Sequence, residues 1–372
     1  MKIVIASDSF KGSMTSVDVA QAAAKGIYEV YPDCQVVAVN VADGGEGTVE
    51  AIVDSLGGEI VVARVADPLG REIDARYGIA GDTAIIEMAA ASGLPLLKQE
   101  ERNPWLTSTY GTGEMIMDAI ARGCRQFLVG IGGSATNDAG TGMLQAMGFR
   151  FYDANGEIID HCAGGRMQDI ARIDDSQVPE SVRQSVFTVA CDVDTPFCGP
   201  DGAAPVFAPQ KGADAEMVAR LDAGMASLAK VIADKYGLDV VPVAGAGAAG
   251  GMGGAFYAFL QATLKKGIDM VLDAIDFDKT IEGADFVITG EGKVDFQTAK
   301  GKTAAGVLAR AKQQAIPVIA IGGCVEMCDS LLQMGFAGIY PILEEKVPLE
   351  VAMQRDFAMN NVTKTVARVL KK

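Results

Sequence analysis

The sequence predicts an α/β protein: a flavodoxin-like doubly wound parallel sheet with a second α/β domain inserted into it. Three observations carry that reading. Apolar runs alternate with amphipathic segments at both ends of the chain, the pattern of parallel strands joined by crossover helices. Two of those runs open into acidic glycine loops, Val41-Ala-Asp-Gly-Gly-Glu-Gly-Thr-Val-Glu50 and Phe286-Val-Ile-Thr-Gly-Glu-Gly-Lys-Val-Asp295. The length, 372 residues, suits two domains better than one.

The first forty residues read as a strand over Lys2–Ala6, a polar loop, a helix from about Ser16 to Tyr31 and a second strand over Val36–Val41. Pro32 marks the helix stop. Near the C-terminus, strands are expected over Phe286–Thr289, Pro317–Ile321 and Ala337–Leu343, with a final helix over Leu349–Leu370. Five strands alternating with helices is the tally of a flavodoxin-like sheet. Both chain ends then form one domain, residues 1–66 and 284–372, with residues 67–283 as the inserted α/β domain. The active site is expected in the cleft between them.

Where the insertion begins, Asp67-Pro-Leu-Gly70 reads as a turn, and the short runs around it, Ile60–Val65, Ala75–Ile79 and Ala84–Met88, read as antiparallel strands. A glycine-rich stretch, Thr107–Gly113, leads into a helix over Glu114–Arg122, then a strand over Gln126–Ile131. A later strand over Val186–Ala190 ends in Cys191-Asp-Val-Asp194. The uncharged run Val240–Leu264 is long enough to raise a membrane helix. Pro242 and the glycines from Gly245 to Gly254 make it a glycine turn feeding a buried helix instead.

Composition narrows the function. A net charge of −16 excludes a nucleic-acid partner, since phosphate backbones need basic surface. Any anionic substrate must therefore meet locally placed Lys or Arg. Seven scattered cysteines without a CxxC pair fit reduced thiols and a cytoplasmic setting. The single histidine, His161, sits in a polar context, so a general base is expected to be a carboxylate.

The candidate site gathers at strand ends, where open α/β sheets bind ligands. Gly44, Gly45 and Gly47 let the backbone approach a ligand. Asp43 and Glu46 can cap the following helix or hold Mg²⁺ beside substrate phosphates. Asp8, Ser9 and Lys11 join them by topology, and Gly290, Glu291, Gly292 and Lys293 form the matching loop at the other chain end. Gly132, Gly133, Ser134 and Asn137 offer donors for an anion, and the loop Pro205–Gly212 delivers Lys211. Asp192 and Asp194 straddle one residue, and a carboxylate there can serve as general base. Gly245-Ala-Gly-Ala-Ala-Gly250 satisfies G-x-G-x-x-G, with Asp269 or Asp273 as the following acid. That pattern raises a nicotinamide-dependent oxidoreductase as the rival class, although Pro242 spoils the strand before it. Gly250 and Gly251 can equally cradle phosphates at a helix start. Lys300-Gly-Lys-Thr303 resembles a P-loop tail, but Phe296 stands where its glycine belongs; Lys302 can still contact a phosphate through charge alone.

Ser7-Asp-Ser-Phe-Lys11, Ala42-Asp-Gly-Gly-Glu-Gly-Thr48, Ile86-Glu-Met-Ala-Ala-Ala-Ser-Gly93, Gly130-Ile-Gly-Gly-Ser-Ala-Thr-Asn-Asp138, Ala190-Cys-Asp-Val193, Pro209-Gln-Lys-Gly212, Ala246-Gly-Ala-Ala-Gly-Gly-Met-Gly253 and Ile288-Thr-Gly-Glu-Gly292 together resemble the type-1 glycerate kinase family, in the family's order and across the whole chain. The resemblance implies ATP-dependent phosphorylation of D-glycerate, generally at the 2-hydroxyl, with the 3-phosphate as the alternative product. It implies ATP and Mg²⁺ as cofactors, no nucleic-acid or membrane partner, and a monomer or homodimer. Asp192 is then the expected base, Asp43 and Glu46 the metal ligands, and Lys11, Lys211 and Lys293 the cations. Ser7 stands where the family usually has proline, Gly12 where glutamate is common, Lys293 for an arginine and Phe296 for a serine. Lys293 matters most, because a bidentate fork becomes a point charge.

Overall fold

The computed structural model describes residues 1–345 and 347–371. The strands run, in chain order, β1 (Lys2–Ser7), β2 (Gln35–Asn40), β3 (Glu59–Ala66), β4 (Glu72–Ala80), β5 (Thr83–Glu87), β6 (Gln126–Gly130) and β7 (Arg150–Tyr152). They continue with β8 (Arg172–Asp174), β9 (Val186–Ala190), β10 (Thr263–Lys265), β11 (Phe286–Val294), β12 (Val318–Val325) and β13 (Gly338–Pro341). The chain divides into two compact units. The first holds Met1–Asp43, Glu50–Leu56 and everything from Ile268 onward; the second holds Gly44–Val49 and Gly57–Gly267.

The first unit is built on an all-parallel sheet in the order β13-β12-β11-β1-β2. Counted along this unit alone, that is the 2-1-3-4-5 order of a flavodoxin-type sheet. β1 lies next to the middle, and its run Ile3-Val-Ile5 is fully buried, as a strand covered on both faces must be. One face packs Ile3 and Ile5 against Val19, Ile27, Val362 and Val366. These come from the helices Ser16–Tyr28 and Arg355–Leu370. A Cβ on Gly26 would collide with the Thr363 carbonyl, so glycine there permits the close approach of the two helices. The first helix starts at a capping box in which Thr15 accepts from Asp18 N and Asp18 accepts from Thr15 N. Arg355 also grips Asp18 at 2.5 Å and, with burial opposing it, lowers that carboxyl to about 2. The expected final helix is divided, Leu349–Ala352 and then Arg355–Leu370.

The second unit carries a six-stranded sheet in the order β10-β9-β6-β5-β4-β3. β10, β9, β6 and β5 are parallel, and β4 runs antiparallel to both β5 and β3. Its core includes Phe127 stacked on Phe187 at 4.8 Å between ring centroids. Around it lie the helices Tyr110–Ala121, Ala215–Tyr236 and Ala248–Leu260. The α/β class and the two-sheet plan agree with expectation.

Both expected boundaries move. β3 belongs with the second unit, not the first, because it pairs with β4 along its whole length, from Glu59 opposite Ile79 to Ala66 opposite Glu72. The Asp67–Gly70 turn makes that pairing local, so little loop entropy opposes it. At the other boundary, residues 268–283 join the first unit instead of the insertion. There Arg310 bonds Asp273 and Asp278, and Ile268 packs against Gly306. No helix among the described residues is long and apolar enough to cross a membrane.

Candidate active site

In the first unit, the carboxyl ends of β1, β11, β12 and β13 border a cavity of about 760 Å³. Of the residues singled out in the sequence, Asp8, Ser9, Lys11, Asp43, Glu291, Gly292 and Lys293 line it. Asp8 is buried and accepts from Ser9 N at 2.7 Å and from Thr303 Oγ1 at 2.8 Å. Burial, then the neighbouring Asp43 carboxylate, pushes the Asp8 carboxyl above the usual range, while its two hydrogen bonds oppose that. Glu291 is also buried and accepts from Thr298 Oγ1. Burial pushes its carboxyl up to about 7. The cations lie nearer water: Lys11 stands 3.8 Å from Asp43, and Lys293 reaches Asp295 at 3.2 Å and Glu326 at 3.0 Å. Gly290 does not line the cavity. It is buried in β11, where its carbonyl accepts from Asp8 N at 2.9 Å.

In the second unit, a different set meets at the ends of β5, β6 and β9. Gly44, at φ +86°, leaves no room for a side chain: a Cβ would come within 2.8 Å of Ala190 Cβ and 2.6 Å of Gly267 Cα. Gly45 accepts from Thr48 N at 3.2 Å, and Gly47 is also left-handed at φ +87°. Gly132 and Gly133 are exposed after β6, whereas Ser134 and Asn137 are buried. Lys211 lies beneath this loop, fully buried, donating to Ser134 Oγ at 2.7 Å and to the Thr136 carbonyl at 2.6 Å. Burial pulls its ammonium down to about 7, with Asp138 opposing. Asp192 is exposed just after β9, where it accepts from Gly267 N at 3.0 Å. Asp194 is exposed as well.

Several expectations change. Lys211 is not a surface cation awaiting an anion, because its donors are spent inside the protein holding the 134–136 backbone. Gly250 and Gly251 do not open a phosphate cradle. Both are buried at positive φ, and their Cβ positions would strike Thr136 and Ala139. The dinucleotide reading fails on two counts: residues 240–243 form no strand, and Asp269 and Asp273 face Arg310. At the helix Thr48–Leu56, Glu87 from outside the loop accepts from Val49 N at 3.0 Å, so one of the first free N–H groups is met without Asp43 or Glu46. The expected loop at Thr107–Gly113 is already helical from Tyr110. His161 is exposed, as expected.

The sequence reading misses three participants. Asp138 is fully buried and accepts from Thr109 N, Thr109 Oγ1, Gly140 N and Gly142 N. Its place after Gly132-Gly-Ser in the strand-end loop was the available signal. Thr303 and Thr298 brace the two acids; Lys302, already a candidate phosphate contact by its charge, lines the cavity. The hydroxyls carry no local signal, because their partners are hundreds of positions away or set by a turn.

Among the described residues, no group of three or more His, Cys, Asp or Glu side chains is gathered to hold a metal. A magnesium ion needs only one or two carboxylates beside phosphates. The raised Asp8 carboxyl next to Asp43 is a pair whose repulsion a divalent cation relieves, so these residues fit one. Glu46 does not line the cavity.

The sheet order, the strand-end acids and the lysines around one cavity define an α/β enzyme of the phosphoryl-transfer class. The glycerate kinase family profile matches residues 3–372. A glycerate kinase of Halalkalibacterium halodurans is 46% identical over 99% of this chain and 97% of its own length. The glycerate 2-kinase of Escherichia coli K12 is 44% identical over 99% of this chain and 98% of its own. A crystal structure of a candidate glycerate kinase 2 from Salmonella typhimurium LT2 superposes with a TM-score of 0.91 at 43% identity, covering 100% of this chain and 97% of that one. The chain belongs to the glycerate kinase family and is a kinase of that kind.

Proposed function

We propose that the chain phosphorylates D-glycerate at the 2-hydroxyl, using ATP and Mg²⁺ and releasing 2-phosphoglycerate and ADP. The observation that carries this reading is the cavity at the sheet's carboxyl ends, where Lys11, Lys293 and Lys302 face Asp8, Asp43 and Glu291. Phosphoryl transfer asks for charge neutralisation and positioning more than for covalent chemistry, and this set supplies both signs. The 2-position rests on the Escherichia coli relative, which is named for it.

In this reading Lys11 and Lys293 bind the nucleotide phosphates, their long stems leaving the ammonium heads free to shift from Asp43, Asp295 and Glu326. Asp8 and Asp43 would hold the metal, with Glu46 as a further ligand through water. When bound, the metal offsets phosphate charge during transfer. Gly132, Gly133 and Ser134 orient the glycerate carboxylate through backbone and hydroxyl donors, with Lys211 stiffening that loop from below. Asp192 takes the proton of the 2-hydroxyl as the new O–P bond forms and the bond to ADP breaks.

The test is ³¹P NMR of the product after incubation with ATP, Mg²⁺ and D-glycerate. A 2-phosphoglycerate signal with stoichiometric ADP is expected. The 3-phosphate would move the reactive hydroxyl. Tight NAD(H) binding without ADP release would replace the reading with an oxidoreductase.

A further inference from the structure

The cavity of the first unit is divided in a way that glycerate does not explain. Its charged side lies at the ends of β1 and β11. Its other side is mainly apolar, built from Val325 at the end of β12, Ile342 and Leu343 after β13, and Leu349, Ala352 and Met353 at the short helix, with Glu344 and Glu345 also lining it. A three-carbon hydroxy acid has almost no apolar surface to offer that wall. It would also fill only a small part of about 760 Å³, a volume in the range that holds ligands several times larger, roughly 300–1,000 Å³.

Two features mark the apolar side as a binding surface and not leftover core. Leu349 is 74% exposed and Met353 is 36% exposed, so large apolar side chains stand in water beside a cavity. They are four residues apart, which puts them on one side of a helical turn. The wall is also continuous with the lysines. Met353 Cε lies 2.9 Å from where a Cβ on Gly12 would sit, and Gly12 follows Lys11 at φ +78°. A ligand spanning the cavity therefore has an apolar end at Met353 and an anionic end at Lys11 and Lys293.

We infer that the apolar wall formed by Val325, Ile342, Leu343, Leu349 and Met353 is the nucleobase subsite of the phosphate donor, the base lying flat against it while the phosphates reach the lysine side. This rests on the proposed kinase reading. A purine has planar apolar faces that a methionine thioether packs against well, and it is joined to a polyanion at one end only. That polarity matches the division of the cavity. Ring hydrogen bonds are not required for retention, so the site discriminates base shape and area more than the identity of its edge groups.

The experiment compares the wild type with a Leu349→Gln/Met353→Gln double variant, whose neutral side chains keep size and charge. Affinities for ATP, inorganic tripolyphosphate and D-glycerate are measured by calorimetry, with wild-type ADP release as the activity control. ATP should weaken by about tenfold in the variant, while tripolyphosphate and D-glycerate stay within about twofold. Both positions are exposed, so the variant should keep the wild-type melting temperature; should it unfold, Leu349→Gln alone serves, at 74% exposure. Unchanged ATP affinity in a folded variant overturns the subsite while leaving the kinase reading intact. So does a selective loss of D-glycerate affinity, which would make the wall part of the acceptor site. A wild type that releases no ADP with D-glycerate overturns both.

Discussion

The two sets of strand-end loops bury charge differently. In the first unit the acids are inside and the cations outside: Asp8 and Glu291 are buried against threonine hydroxyls, while Lys11 and Lys293 are half exposed or more. In the second unit a lysine and one acid are inside and another acid outside: Lys211 and Asp138 are buried at the 134–138 loop, while Asp192 is exposed. Burial moves Glu291 and Lys211 toward neutrality near pH 7. Each unit thus supports its loop with a buried group shifted toward neutrality and presents an oppositely charged group to solvent. Position in the layer, not residue type, separates the exposed groups from the supporting ones.

Asp192→Asn gives the largest expected effect, because it removes the second region's exposed acid, proposed as the general base. A base contributes about 10²–10⁴-fold to kcat, and loose phosphoryl transfer leans toward the lower end. The amide still accepts from Gly267 N, so ATP affinity should change little. Asp194→Asn is the control and should be milder. If steady-state kinetics show Asp194→Asn crippled and Asp192→Asn near normal, the base is misassigned.

Lys211→Met tests the supporting side of that region. Ser134 Oγ and the Thr136 carbonyl lose their donor, which costs about 1–3 kcal/mol of stability. The pH dependence identifies the cause. The unfolded chain keeps this lysine protonated up to its ordinary 10.5, while the folded protein releases the proton near 7. Wild-type stability should therefore rise relative to the variant between those values, by up to ~1.4 kcal/mol per pH unit. Urea unfolding at pH 6 and pH 9 reads this directly. A flat difference between the two pH values, with activity lost, would make Lys211 a direct anion contact after all.

How much of this was legible in the sequence follows from the range of the forces involved. The parallel strands of the first unit were readable because a doubly covered strand such as Ile3-Val-Ile5 must be continuously apolar. Asp43 and Glu291 could be placed at strand ends because acidic glycine loops announce themselves locally, and Asp8 and Lys11 because they follow the first strand. The domain boundaries were not, since β3 is settled by its pairing with β4 and residues 268–283 by Arg310, both tertiary facts. The helix Ala215–Tyr236 went unread although Asp214 caps it and Gly237 closes it at φ +69°, because its apolar stripe is broken by charged residues. The burial of Lys211 had no sequence signal: nothing around Pro209-Gln-Lys-Gly212 says which way the side chain turns.

Glu291→Gln probes the supporting acid of the first region. The unfolded carboxyl ionises near 4.5 and the folded one near 7. The folded protein therefore holds an extra proton between those values, and stability falls as pH rises through that window. Above it the penalty is constant. Glutamine still accepts from Thr298 Oγ1 and carries no charge, so the variant should be more stable than wild type by about 1–3 kcal/mol at pH 8. The gain should vanish by pH 4.5. A variant that is less stable at pH 8 would show that the ionised carboxylate is held favourably, reversing the contrast with Lys11.

The smallest stability effect is expected where the acid loop joins the two regions in sequence. Asp43 and Glu46 were candidates for capping the helix Thr48–Leu56, but Glu87 already accepts from Val49 N at 3.0 Å. Replacing the pair as Asp43→Asn/Glu46→Gln should then shift stability by no more than about 0.5 kcal/mol, the ordinary range for surface changes away from a cap or core. Removing the Asp43 charge should also let the Asp8 carboxyl fall back toward its usual range, since Asp43 is the neighbouring charge that raises it. Metal dependence should respond far more than stability, because Mg²⁺ site strength follows carboxylate charge. The Mg²⁺ concentration for half-maximal ADP release should rise, and saturating Mg²⁺ should restore part of the rate. Single variants divide the effect: Asp43→Asn should carry most of it, since Asp43 lines the cavity and Glu46 does not. A folded double variant with an unchanged Mg²⁺ profile would remove both residues from the metal and leave Asp8 as the carboxylate to test.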